Sequence, residues 1–112
     1  MSHMSSDDPL VIAIDSSTTS TKAIVVDTQG NVISLGRREI ALLSPEQGFG
    51  EHDPRQWWTS THEAVGEAVG KLTPAEKERI AAFGITHQRE SFAPFTADGT
   101  PLRNGILWLD IR

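Results

Sequence analysis

Two apolar runs separated by eight polar residues constrain the front of this chain. The run LVIAI at 10–14 reads as a buried strand, AIVV at 23–26 resumes a second, and DSSTTSTK at 15–22 lies between them. The intervening segment is therefore a strand-to-strand turn. Such a turn can aim successive backbone N–H groups and hydroxyls at an anion, with Asp15 free to hold a metal ion and Lys22 free to meet phosphate. Ser and Thr also populate ordinary hairpins, where their hydroxyls bond nearby backbone. On these residues alone both readings stand. The segment is neither a Gly-x-x-x-x-Gly-Lys phosphate loop nor a Gly-x-Gly-x-x-Gly dinucleotide loop.

At 112 residues the chain suffices for one small domain with a core. Ten basic against fifteen acidic residues leave a net charge of −5, which argues against nucleic acid or an anionic membrane as partner. The absence of cysteine removes disulfides and thiolate metal sites and suits a reducing cytoplasm. His3, His52, His62 and His87 show no paired metal-ligand spacing. No apolar run approaches the roughly 18 residues of a membrane span. The expectation is a cytoplasmic domain, with homodimerisation left open. Met1-Ser2-His3-Met4 resembles a cloning remnant, and residues 1–8 are set apart as a leader to a domain at 9–112.

After the second strand, DTQGN at 27–31 suits a hairpin turn, and a third strand is expected at 32–35, continuing over 37–43 past a bend at Gly36. Residues 44–50 form a loop by composition. Asp53 is placed as an N-cap, Pro54 at the first helical position and Gln56 as the reciprocating member of a capping box. Trp57, Trp58, Thr61, Ala64, Val65, Ala68, Val69 and Leu72 then recur at helical spacing and give one apolar face. Adjacent tryptophans can form a sugar platform; the area each buries favours at least one as a core anchor. TPAE at 73–76 signals a second, short helix. Strands are expected at 80–86, at 92–96 and at 106–109, with a turn at 97–99. A β-meander followed by a helix-strand crossover predicts an α/β domain with a mixed sheet.

HQRES at 87–91 follows directly on the strand expected at 80–86, and ligands of open α/β sheets gather beyond the carboxyl ends of strands. Arg89 offers a fork of donors and Glu90 a pair of acceptors, a combination suited to vicinal hydroxyls, each of which both donates and accepts. The competing reading is a solvated charge pair. Trp108 is core by default; facing the same cleft, it would supply an apolar wall for a sugar's C–H surface.

These pieces, in this order, resemble the FGGY carbohydrate kinases. DSSTTSTK is similar to that family's first phosphate loop, GFGEHDPRQWW at 48–58 to its Gly-x-x-Glu-His-Asp-Pro segment, and GITHQRES at 84–91 with PLRNGILWLDIR at 101–112 to the stretch from its sugar loop to its Trp-x-Asp-x-Arg element. The resemblance implies a ribonuclease H-like fold of the actin and hexokinase type, in which two domains enclose ATP and substrate. It implies Asp15 near Mg²⁺, Thr18, Thr19 and Lys22 near phosphate, and Gln88, Arg89, Glu90 and Trp108 at the substrate. Xylulokinases usually carry Met-His in place of Arg89-Glu90, which points to a polyol or an open-chain sugar of glycerol-like recognition. Ser17 replaces a usual glycine, and Lys22 replaces the arginine common in glycerol kinases, trading a bidentate fork for a point charge.

Members of this family are several times longer, and their second domain supplies most of the adenine pocket and the aspartate acting as general base. The chain is thus expected to be the first part of a kinase domain pair, inactive alone, with no general base on it; Asp110 occupies a different motif position. An actin- or chaperone-type ATPase module and a non-catalytic binding domain are the alternatives.

Overall fold

The computed structural model describes residues 8–112; the leader assigned to 1–8 lies outside these except for Asp8, whose backbone carbonyl accepts from Arg79 Nε at 2.8 Å. The predicted meander is present. Strands β1 (Leu10–Ser16), β2 (Ser20–Val26) and β3 (Val32–Glu39) pair antiparallel, followed by a short β4 (Glu51–His52) and helix α1 (Pro54–Gly70). Helix α2 (Pro74–Glu78) leads into β5 (Ile80–His87), which returns parallel to β1, and β6 (Gly105–Ile106) pairs with β4. The main sheet has the order β3-β2-β1-β5.

Alternation in β1 and β2 decides where α1 packs. Leu10, Ile12 and Ile14 share one face with Ala23 and Val25, and this face meets Ala64, Ala68 and Leu72 to form the core. Polar contacts fix the helix on β3: Ser34 Oγ donates to the Ala68 carbonyl at 2.7 Å, and Glu67 accepts from the Arg37 N–H and the Arg38 guanidinium.

Gly36 does not bend the chain as expected, for β3 runs through it. A side chain there would collide with the Ala64 carbonyl and lie 2.9 Å from the Ala68 N, so glycine at this position permits close helix-sheet approach. The irregularity in this hairpin falls instead between Val25 and Val26. The α1 start is capped as expected by Asp53, which accepts from the Arg55 N–H, with Pro54 in the first turn. Gln56 does not close the box; its side-chain oxygen accepts from the Ala41 N–H at 3.0 Å and ties the segment after β3 to the helix. The second start, at Thr73 and Glu76, is a complete capping box.

Three expected strands shrink: the third ends at Glu39 instead of continuing to 43, with Leu43 making a single bridge to Glu51, and two later ones contract further. The stretch 92–96 makes only single bridges, Phe92 to Ile106 and Phe95 to Pro101, and of 106–109 only Ile106 lies in a strand. Pro94 and Pro101 lack the N–H that a continuous ladder requires. The Asp110 N–H turns back to the Leu107 carbonyl at 3.0 Å, curling the segment that carries Trp108 out of any sheet.

Candidate functional site

Because β1 and β5 are parallel, their carboxyl ends emerge at one sheet edge, with Asp15 opposite Thr86 and Ser16 opposite His87. Loops 17–19 and 88–91 therefore leave the sheet side by side. A ring of hydrogen bonds joins them to the distant 107–110 turn. The Trp108 indole N–H donates to Thr18 Oγ1 at 3.0 Å, and that hydroxyl donates to Gln88 Oε1 at 3.4 Å. Ser91 Oγ donates to the same Gln88 oxygen at 3.2 Å and accepts from the Trp108 backbone N–H at 3.1 Å.

Gln88, Arg89, Glu90 and Trp108, the four residues assigned to substrate from sequence, line one open cleft of about 400 Å³. The Arg89 and Glu90 side chains have no hydrogen-bond or ion-pair partner among the described residues. Glu90 also holds a left-handed backbone, with φ of 58°, uncommon for a residue with a side chain. Such strain collects where local geometry is dictated by something other than the chain's own preference.

The phosphate-side residues occupy a different place. Asp15 pairs across the sheet with Lys22, and Lys22 in turn with Arg37; with Ala13, Ile24 and Thr86, the first two line a groove of about 210 Å³ on the face opposite the buried core. Ser17 Oγ donates to Asp15 Oδ1 at 2.9 Å, leaving the other carboxylate oxygen available, while the Lys22 side chain has no polar partner among the described residues. Thr19 is exposed, and its carbonyl accepts from the Ile40 N–H. Thr18 alone of the assigned phosphate residues touches the substrate-side ring. Asp15 and Lys22 stand apart from the cleft.

Sequence patterns missed the polar cluster beneath this edge. His52, fully buried, has Nε2 2.7 Å from the Thr18 carbonyl and Nδ1 accepting from the Trp57 indole N–H at 2.8 Å. Burial lowers the His52 pKa below its ordinary 6.5, with the Thr18 carbonyl acting in the opposite sense. Trp57 is thus an anchor, packed edge-on against His52 and His87, while Trp58 is exposed and stacks on His62. Glu51, 5% exposed, receives Arg112 at 2.6 Å, Arg103 at 3.0 Å and Asn104 at 3.1 Å. The Arg112 hydrogen bond chiefly holds Glu51 below the usual carboxylate range. Asp110 accepts from the Gly50 N–H and from Arg112, whose guanidinium lies over the Phe49 ring. Arg112 first, with the Gly50 N–H, keeps Asp110 ionised far below its ordinary range, as suits a structural tie. The GFGEHDPRQWW and PLRNGILWLDIR stretches contained Glu51, His52, Trp57, Arg103, Asn104, Asp110 and Arg112; the burial of Glu51 and His52, which periodicity does not report for polar side chains, is what distinguishes this cluster.

This edge, two loops side by side at parallel strand ends with a polar cleft and a separate groove beside it, lies where ligands of open α/β sheets gather. The chain superposes on the xylulose kinase of Rhodospirillum rubrum with a TM-score of 0.87 at 30% identity, over 92% of this chain and 21% of that one. On the glycerol kinase of Plasmodium falciparum, solved with ADP, the TM-score is 0.75 at 30% identity, over 94% and 21%. The fold is the corresponding part of the ribonuclease H-like, actin and hexokinase type.

The chain belongs to the FGGY family of carbohydrate kinases, whose N-terminal domain matches residues 10–112. Curated relatives include the glycerol kinases of Beutenbergia cavernae, 40% identical over 103 residues (91% of this chain, 20% of that protein), and of Paenarthrobacter aurescens, 42% identical with the same coverage. The chain spans about a fifth of the length of these relatives. None of the helices among the described residues is long and apolar enough to cross a membrane.

Proposed function

We propose that this domain is the phosphate- and substrate-facing wall of a cytoplasmic kinase that transfers the γ-phosphate of ATP to a hydroxyl of a glycerol-like polyol. The observation that carries this reading is the Thr18-Trp108-Gln88-Ser91 ring, which holds the loop after β1 against the cleft of Arg89 and Glu90. Arg89 donates to substrate oxygens, Glu90 accepts from substrate hydroxyls, and the Trp108 face excludes water from the C–H side. The glycerol-like choice rests on Arg89-Glu90 and on relatives that are glycerol kinases; a ketopentose such as xylulose is the substrate this choice has to beat.

Lys22 supplies the positive charge, and the Thr19 hydroxyl, with that of Thr18 once released from Gln88, the donors that phosphoryl oxygens need as charge builds on them. The groove fits Mg²⁺ to the extent expected of one wall: this ion keeps waters and phosphate oxygens and takes one or two carboxylates, and Asp15 has one oxygen uncommitted. Bound there, Mg²⁺ would neutralise phosphate charge. The general base on the substrate hydroxyl is assigned to a further domain.

The test is Lys22→Ala in a full-length kinase carrying this domain, with product identified by mass spectrometry. Turnover should fall on the order of a hundredfold. Turnover near wild type would remove Lys22 from the mechanism; orthophosphate as sole product would favour an ATPase module of the actin or chaperone kind. A panel of glycerol and xylulose decides the substrate.

A further inference from the structure

We infer that His52 is a positioning residue, a neutral hub that sets the phosphate-side loop against the substrate cleft by holding the Thr18 backbone; the functional half of this inference rests on the kinase reading above. The argument begins with donors and acceptors. The Trp57 indole can only donate, and it points at His52 Nδ1 from 2.8 Å, so Nδ1 carries a lone pair. The ring proton therefore sits on Nε2 and is donated to the Thr18 carbonyl at 2.7 Å. Gln88 Nε2, 3.3 Å from Nδ1, is a weaker second claimant on the same lone pair.

One imidazole thus touches three elements: the loop after β1, the first turn of α1, and the residue after β5. Through Thr18 its influence reaches Trp108, since the hydroxyl of the same residue accepts the Trp108 indole. Protonating the ring would set a second N–H against the Trp57 donor. The groups facing it are His87, edge-on across Trp57 from the end of β5, and Gln88; on its own strand Glu51 turns away to Arg103 and Arg112. No neighbouring carboxylate contacts His52 among the described residues, and the Thr18 carbonyl favours the charged form against the larger effect of burial.

Two measurements test this. In the 112-residue chain, side-chain nitrogen-15 spectra should show His52 with its only proton on Nε2 at neutral pH and still neutral below pH 6.5. A proton on Nδ1, or titration at the ordinary value, would overturn the inference without any variant being made. His52→Gln retains an amide donor near the Nε2 position and should leave the Trp108 indole resonance in place, whereas His52→Leu should shift it; an unmoved resonance in a folded His52→Leu also overturns the inference.

In the full-length kinase, His52→Leu should raise the glycerol KM and lower kcat by roughly tenfold each, with His52→Gln recovering most of both. A role confined to folding would lower the active fraction and leave KM alone. If the tautomer and the indole shift come out as stated while no phosphorylated polyol forms, the kinase reading fails and the structural link survives. Phosphorylation with KM and kcat indifferent to His52→Leu would instead refute the positioning role.

Discussion

Two Arg-Glu sets in this molecule use the same chemistry for opposite ends. Glu51 and Arg112 are drawn together at 2.6 Å, with Arg103, Asn104 and Asp110 completing the cluster, whereas Arg89 and Glu90 line an open cleft with no polar partner among the described residues. The first set is spent on structure: it clamps the 103–112 segment to β4 and so carries Trp108 to the edge where loop 17–19 emerges. The second set has no polar partner among the described residues, as the proposed substrate role would require, and Glu90 sits on left-handed backbone. A charged residue's role is set here by whether its partners are already inside the chain.

Removing Glu51 should have the largest effect on stability. Glu51→Leu leaves two guanidinium groups and an amide facing an apolar side chain; because Arg103 and Arg112 keep access to water, the loss is expected at about 2 kcal/mol, read from the urea midpoint. Loss of a few tenths only would reduce the cluster to surface decoration and break the contrast.

Glu90→Gln is the counter-experiment. Stability should stay within about 0.5 kcal/mol of wild type, while in the full-length kinase the glycerol KM rises on the order of tenfold. An unchanged KM would make the cleft a solvated loop.

The pH dependence sharpens the first half of the comparison. Glu51 has its folded-state pKa lowered from 4.5, so the unfolded chain binds its proton more readily. The stability it contributes is complete above 4.5 and is lost as pH falls through the lowered value. The gap in stability between wild type and Glu51→Gln should therefore be widest at neutral pH and close in acid; a gap independent of pH would mean the carboxylate charge is not what the arginines recognise. His52, also lowered, adds a component of the same sign that begins nearer pH 6.5.

The smallest effect is expected at the Glu90 backbone. Glycine relieves the left-handed strain, of about 1 kcal/mol, and returns part of it as chain entropy, so Glu90→Gly should raise the thermal midpoint slightly while abolishing the acceptor pair. A lowered midpoint would show that the Glu90 side chain contributes to the fold after all.

Most of the architecture could be read from local pattern. Alternating strands at 10–26, the DTQGN turn, the Asp53-Pro54 start and the Thr73-Glu76 box all involve residues within a few positions of one another, where propensity and geometry act directly. Gly36 and Gln56 escape local pattern because their partners, Ala64 and Ala41, lie in segments remote along the chain. The 92–96 and 106–109 stretches have strand-like composition, but prolines and the curl at Asp110 limit their pairing to single bridges and a two-residue strand.

The candidate site divides along the same line. The residues themselves pointed to Asp15, Lys22, Arg89, Glu90 and Trp108, because chemistry-bearing residues at strand ends are visible in one dimension, and the family resemblance added Thr18, Thr19 and Gln88. The resemblance also sorted them into two groups; the spatial relation was not visible: Gln88, Arg89, Glu90 and Trp108 share a cleft, Asp15 and Lys22 share a separate groove, and Thr18 reaches the substrate side through Gln88 and a tryptophan ninety positions away. His52 and Glu51 gained their importance from burial alone. A linear chain specifies which groups are available and which local turns they favour; distances between remote groups, and the water excluded around them, come into being when the parallel return of β5 and the clamp at Glu51 bring the segments together.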